Sequence, residues 1–295
     1  MNLDKLTKLY KTSPRLNIDA SSKIVLMSDS HRGDGGASDD FVKNRYLYYH
    51  ALNHYLKNGF TFIELGDGDE LWKYRKITSI MESHWDIYEL IEGFATQNRL
   101  YVLFGNHDIS KRSRMGEAAS VRAFNGQERL DRLSGIKIME SLVLKYKNGG
   151  REIFLIHGHQ VDPLNYQLWP LARFLVRYLW KPVQSIGFQD PTKPSENEKR
   201  RNIIASRLAN WSKKQKTMLI AGHTHQSVYP DPADPLYLND GCCVYAHAVT
   251  SIEITNGAIS LVKWYISTRM DGSLYVKREL LDGPGNINQL YEMRE

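Results

Sequence analysis

Only two cysteines occur in 295 residues, and they are neighbours, Cys242 and Cys243, so no disulfide framework staples this chain. Adjacent cysteines rarely bridge, and both are expected as buried thiols beside a strand. No run reaches the roughly 18 apolar residues that span a bilayer. The segment from Met1 to Pro14 has spaced lysines but lacks the apolar stretch of a secretory leader. A cytoplasmic protein is therefore expected. Internal repeats and low-complexity tracts are also missing, so the chain is not a repeat array.

What is present suits a globular α/β protein. Apolar residues make up 42% of the chain, ample for a core. The length exceeds the usual single domain, yet one large sandwich with an insertion accounts for it as well as two domains do. A net charge of +6 favours anionic partners: phosphates, nucleic acid or a membrane surface. Charge alone does not choose among them.

Five short blocks carry the chemistry, each directly after an apolar run that reads as a strand. They are Asp29-Ser30-His31, Gly66-Asp67, Gly105-Asn106-His107-Asp108, His157-Gly158-His159 and Gly222-His223-Thr224-His225. The preceding runs are Ile24 to Met27, Phe60 to Leu65, Leu100 to Phe104, Ile153 to Ile156 and Met218 to Ala221. Buried strands that deliver Asp, Asn and His at their C-terminal ends build a site in the crevice beyond the sheet. Glycines at 66, 105 and 222 allow sharp turns and close backbone approach there.

Oxygen and imidazole donors of this kind suit Mn²⁺, Fe or Zn²⁺. Asp29, His31, Asp67, Asn106, His157, His223 and His225 are too many ligands for one four-coordinate ion with an open position. A carboxylate shared between two ions explains the surplus. Two ions roughly 3.5–4 Å apart clamp a phosphoryl group and turn a bridging water into a nucleophile at neutral pH. Two divalent ions, Mn before Fe or Zn, are the expected cofactors.

In order and spacing the blocks resemble the signature of the calcineurin-like metallophosphoesterases, D-x-H, G-D, G-N-H-[DE], H and G-H-x-H. The resemblance runs from about residue 24 to about 265. It implies a four-layer α-β-β-α sandwich, two packed mixed sheets flanked by helices. It also implies that Asp29, His31 and His225 hold one metal, that Asn106, His157 and His223 hold the other, and that Asp67 bridges them. His107 would be the general acid that protonates the leaving oxygen, worth roughly 10²- to 10⁴-fold. Asp108 would orient His107 and support its charged form.

A metal-bridged hydroxide would then attack phosphorus in line. A phosphodiester or pyrophosphate, in one version a lipid-linked nucleotide, is the expected substrate. Nuclease or cyclic-nucleotide phosphodiesterase activity is the alternative. A non-catalytic scaffold predicts missing ligands, and none is missing. Protein phosphatases of the superfamily show G-D-x-x-D-R-G, whereas this chain reads Gly66-Asp67-Gly68-Asp69-Glu70-Leu71-Trp72, which argues against that subclass. His159 and Arg32 are assigned to substrate contact, Arg32 from a loop near the mouth. Asp69 and Glu70 are candidates to support the ligands from behind. His50, His54 and His84 read as structural, and His247 as a packing residue before a site residue.

The rest of the chain reads coarsely. Asp39 or Asp40 is expected to cap a helix to about Lys57, with Gly59 beyond it, and residues 68–99 read as helical. Leu142 to Lys147 and Glu152 to Ile156 flank Asn148-Gly149-Gly150 as a hairpin. Strands punctuated by Asn256-Gly257 and Asp271-Gly272 are assigned to an antiparallel second sheet.

One domain is expected over 1–295, with a helical cap inserted at 160–216. Leu164, Leu168, Leu171, Leu175 and Leu179 form one helical stripe of this cap, and Trp169, Arg173, Arg177 and Trp180 another. The second stripe suits an interfacial helix or a greasy anionic substrate, giving peripheral membrane or lipid contact through the cap. A capping box at Ser195-Glu196-Asn197-Glu198 opens a second, basic helix. The UDP-2,3-diacylglucosamine pyrophosphatases, a branch of the family, also carry such a cap. This chain departs from them with His107 after Asn106 and His159 after Gly158.

Overall fold

The computed structural model describes residues 3–115, 131–162, 197–245 and 247–294, with positions 174 and 176. Twelve strands among them form two sheets: β1 (Arg15–Ile18), β2 (Ile24–Met27), β3 (Thr61–Leu65), β4 (Leu100–Leu103), β5 (Ile138–Met139), β6 (Ser141–Tyr146), β7 (Glu152–Ile156), β8 (Met218–Ala221), β9 (Tyr237–Asn239), β10 (Ala248–Thr255), β11 (Ala258–Thr268) and β12 (Leu274–Asn286). The larger sheet has the order β12-β11-β10-β2-β3-β4-β5 and the smaller one β1-β6-β7-β8-β9. In the larger sheet β2, β3, β4 and β5 run parallel, and in the smaller one β7, β8 and β9 do. All five block-bearing strands are in place.

Their near-continuous apolar runs follow from burial on both faces. In β2, Ile24 and Leu26 point between the sheets, where they join Ile63, Leu65, Leu144, Ile153, Leu155 and Ile220. Val25 and Met27 point the other way, toward Leu52, Tyr55, Ile91 and Phe94 on the helices Arg45–Lys57 and Trp85–Thr96. Phe154 and Ile156 of β7 likewise meet Leu6, Leu208 and Trp211 on the helices Leu3–Thr12 and Glu198–Gln215. Four layers result: helix, sheet, sheet, helix.

Asp39 caps a short 3-10 turn over Asp40–Asn44, accepting from the Phe41 N–H, and the helix Arg45–Lys57 follows. The hairpin of β6 and β7 also forms as expected.

Three expectations change. The strands around Asn256-Gly257 and Asp271-Gly272 do not make the second sheet. Ile252 and Ile254 of β10 pair with Leu26 and Ile24, so β10, β11 and β12 extend the first sheet instead. Residues 68–76 are not helical, and helix is confined to Ile77–Ser83 and Trp85–Thr96. The backbone of 68–70 is spent on the neighbouring block: Arg32 N donates to Gly68 O, and Glu70 N donates to Arg32 O. Finally, the helix Glu198–Gln215, expected as half of a cap, is the outer layer of the smaller sheet, with Ile204, Leu208 and Trp211 buried in it. Asn197 caps it by accepting from the Arg200 N–H. Ser195 and both stripes of 164–181 lie outside the described residues.

Candidate metal centre

The ends of β2, β3 and β4 meet the ends of β7 and β8, so the two sheets build the site jointly. Backbone bonds lock the blocks together. Asp29 N donates to Gly66 O at 3.1 Å, His31 N to Asp67 O at 2.9 Å, and Gly222 N to His157 O at 2.9 Å. Gly66 sits at φ 96°, where a Cβ would come within 2.7 Å of Gly105 N and 2.8 Å of the His157 ring. Five residues that carry side chains, Asp29, His31, Asp67, His223 and His225, hold φ between 48° and 68°, the left-handed region that only glycine occupies easily. That twist turns consecutive polar side chains off each strand end into one crevice.

Three sets of donor atoms converge there: Asp29, His31 and His225; His31, Asp67 and His107; Asp67, His157 and His223. Asp29 Oδ1 lies 3.0 Å from His225 Nε2, and the Nε2 atoms of His31 and His225 are 3.3 Å apart. Asp67 Oδ2 is 3.1 Å from His157 Nε2 and 3.9 Å from His31 Nε2, between the two outer sets. Asn106 is buried nearby, and neither its Oδ1 nor its Nδ2 has a hydrogen-bond partner among the described residues. An orphaned amide of this kind is costly unless something else fills its valence. Six of the seven residues expected as ligands thus converge, and Asn106 is buried between Gly105 and His107, whose N–H donates to Asp67. Their donors fit two divalent ions, and Asn106 gives an independent reason to place one beside it.

Electrostatics point the same way. Burial alone would lower the histidines, but hydrogen bonds that His31 donates to the Asp29 and Glu70 carboxylates lift it to about 10. Asp67 and Asp29 raise His157 to about 10 against the same desolvation, and Asp29 raises His225 to about 9. Burial would raise Asp29, yet His225 and His157 hold it well below the ordinary carboxylate range. The carboxylates thus draw positive charge into the crevice.

The decisive observation from outside the molecule is a family model described as calcineurin-like phosphoesterase, which matches residues 22–227. The chain belongs to that family. No curated protein matches it. Among solved structures it is similar to Vps29 from Chaetomium thermophilum, at 11% identity and a TM-score of 0.40 over 88% of this chain and 97% of that one. It is also similar to the cold-active protein-tyrosine phosphatase of a psychrophilic Shewanella, at 13% identity and 0.37 over 90% and 82%.

Around this calcineurin-like centre, three assigned neighbours take different places. Asp108 does not touch His107: its carboxylate accepts from Gly105 N at 2.7 Å and Gly68 N at 3.0 Å, shaping the two loops. The carboxylate at the His107 ring is that of Glu70, whose Oε1 is 2.8 Å from His107 Nδ1 and whose Oε2 is 3.3 Å from His31 Nδ1. The indole of Trp72 stacks on the His107 ring at 4.2 Å. Arg32, expected at the mouth, is wholly buried, with Nε donating to Asp69 at 2.8 Å and Nη2 to Glu64 at 2.6 Å. Two of its three guanidinium nitrogens are committed to ion pairs, Nη1 has no hydrogen-bond partner among the described residues, and the side chain is shut off from solvent. His159 packs in the interior with its ring 5.5 Å from His157, and burial together with the charges of His157 and His223 lowers it well below the ordinary histidine value.

Some partners escaped the sequence. Lys111 Nζ reaches Glu64 at 2.7 Å and Asp69 at 2.8 Å, completing a buried cluster with Arg32 and Asp108. Glu64, between Ile63 and Leu65 of β3, was the available signal, since a buried charge needs a partner. Asp162 lies 3.2 Å from His223 Nε2 and takes two bonds of 2.7 Å from Arg200. Nothing local to either residue announces that pair.

Proposed function

We propose that the chain is a dinuclear-metal phosphoester hydrolase whose substrate is a phosphodiester or a pyrophosphate. One observation carries the reading: the Asp67 carboxylate stands between the Asp29–His31–His225 and His157–His223 sets, where a shared ligand belongs. By this reading Asp29, His31 and His225 hold one ion, and Asn106, His157 and His223 the other. Hard oxygen donors with imidazole and no thiolate favour Mn²⁺, with Fe or Zn²⁺ as alternatives. When bound, such ions polarise phosphoryl oxygens and supply a nucleophile at neutral pH.

The chain's own groups supply the rest. Asn106 contributes an uncharged oxygen, which spares an anionic substrate one repulsion. Glu70 occupies Nδ1 of His107, so Nε2 is the atom left to pass a proton to a departing oxygen. Trp72 stacked on that ring limits its rotation. A lipid-linked nucleotide remains within this substrate class, its acyl chains assigned to the stretch from 164 to 181. No helix among the described residues is long and apolar enough to cross a membrane.

The test is hydrolysis of bis-4-nitrophenyl phosphate and 4-nitrophenyl phosphate after Mn²⁺ loading of chelated protein, with D67N as control. Diester cleavage that disappears in D67N is the expected result. Preference for the monoester would redirect the assignment to phosphomonoesters. Two bound metals without turnover of either ester would favour a binding role.

A further inference from the structure

A sixth strand end reaches the centre, and the ligand assignment does not use it. β9 stops at Asn239, and residues 239–243 bond to loops of both sheets. Toward the smaller sheet, Asn239 Nδ2 donates to Gly222 O at 2.7 Å and to Thr224 Oγ1 at 3.1 Å. Asp240 N donates to Ala221 O at 3.1 Å. Toward the larger sheet, Cys243 N donates to Asp29 O at 3.2 Å, and Asp240 Oδ1 lies 2.8 Å from Ser28 Oγ. The same Ser28 hydroxyl contacts Asp29 Oδ2. Ser28, Asn239 and Asp240 are all buried. Asp29 and His31 leave the larger sheet and His225 the smaller, so this run ties together the loops that form the Asp29–His31–His225 set.

Counting hydrogens fixes the roles. Ser28 has one hydroxyl hydrogen but stands against two carboxyl oxygens, one of Asp29 and one of Asp240. The second contact needs a hydrogen that only a carboxyl can bring. Asp29 is the wrong place for it: Oδ2 also accepts from His223 N at 2.9 Å, and Oδ1 lies 3.0 Å from His225 Nε2. Asp240 Oδ2, by contrast, is buried with no hydrogen-bond partner among the described residues. An unpartnered oxygen costs far less on a neutral acid than on an anion.

We propose that Asp240 is a positioning residue for the first metal: its carboxyl O–H donates to Ser28, whose own hydrogen fixes Asp29 Oδ2 and leaves Oδ1 turned toward His225. The inference rests on the ligand assignment above and adds two residues to it. Gly222 belongs to the same arrangement, since a Cβ there would come within 2.6 Å of Asp29 Oδ2. A carboxylate ligand held by a hydrogen bond from behind loses metal affinity when that bond is removed.

The test is calorimetric Mn²⁺ titration of the chelated full chain, with H223A removing a ligand of the second metal and H225A one of the first. In the H223A background, D240A should weaken the remaining Mn²⁺ about 10- to 100-fold. In the H225A background, adding D240A should change the remaining Mn²⁺ by no more than about twofold, the limit for independent sites. D240N puts an amide N–H where the carboxyl O–H stood, and in H223A it should keep the affinity within that same limit. S28A should match D240A, and it carries the comparison if D240A does not fold. Equal weakening in both backgrounds, or weakening in neither, overturns the proposal. So does a loss in D240N as large as in D240A, which would make the charge of Asp240 the working feature. A wild-type chain that takes up no Mn²⁺ overturns the metal reading, and this inference with it.

Discussion

Beneath Asp67 and His107 the larger sheet buries Glu64, Asp69 and Asp108 against Arg32 and Lys111, whereas behind His223, among the described residues, stands Asp162, tied to Arg200 on a helix. The first cluster is almost fully excluded from solvent, with Arg32 and Asp69 at 0% exposure. The Arg200 side chain keeps 21% of its surface. One half of the centre is thus backed by charges shut off from solvent, and the other by a contact at the protein's edge. The half that carries the candidate acid is the buried one. Proton delivery tolerates little misplacement, while His223, a ligand on the reading proposed above, would also be steadied by the metal it held.

Removing a cation from the buried cluster should break the comparison most severely. K111M leaves Glu64 and Asp69 on Arg32 alone and takes the paired cation from Asp108, and we expect a loss of about 3–5 kcal/mol in denaturant unfolding. A loss within the ordinary scatter of surface substitutions would mean that the cluster is not what holds this half. Next in size is E70Q, which keeps the shape of Glu70 but removes its charge from His107 and His31. Its kcat should fall about 100-fold with two metals still bound, within the range of general acid catalysis; loss of a metal instead would recast Glu70 as a ligand support. The smallest effect sharpens the contrast. R200A frees Asp162 and should weaken the second metal about tenfold in a calorimetric titration while leaving unfolding nearly unchanged. Should R200A unfold the protein as readily as K111M, the two halves would be held alike.

The sequence made these halves unequally visible. Each block sits next to its own strand, so its place at a sheet end is a local matter, legible from an apolar run followed by Asp, Asn or His. Which carboxylate reaches His107 is not local. Asp108 is the adjacent residue, but its side chain turns back to Gly105 and Gly68, and Glu70 arrives from another loop. Arg32 misled for the same reason: two residues after a strand-end Asp-Ser-His, it reads as mouth, yet Glu64 and Asp69 draw it inward. Turn residues located β10, β11 and β12 along the chain, but turns do not say which sheet a strand joins. That was decided by the pairing of Ile252 and Ile254 with β2.

The left-handed backbone at Asp29, His31, Asp67, His223 and His225 has a further consequence. Each costs on the order of 1 kcal/mol that glycine would not incur. Thermal hardiness and the ability to hold ions therefore pull in opposite directions at the same five positions. Glycine there would make a calmer and emptier protein. A library of variants ranked by melting temperature in the presence of chelator would drift toward inactive sequences, and only ranking with metal supplied would keep the centre intact.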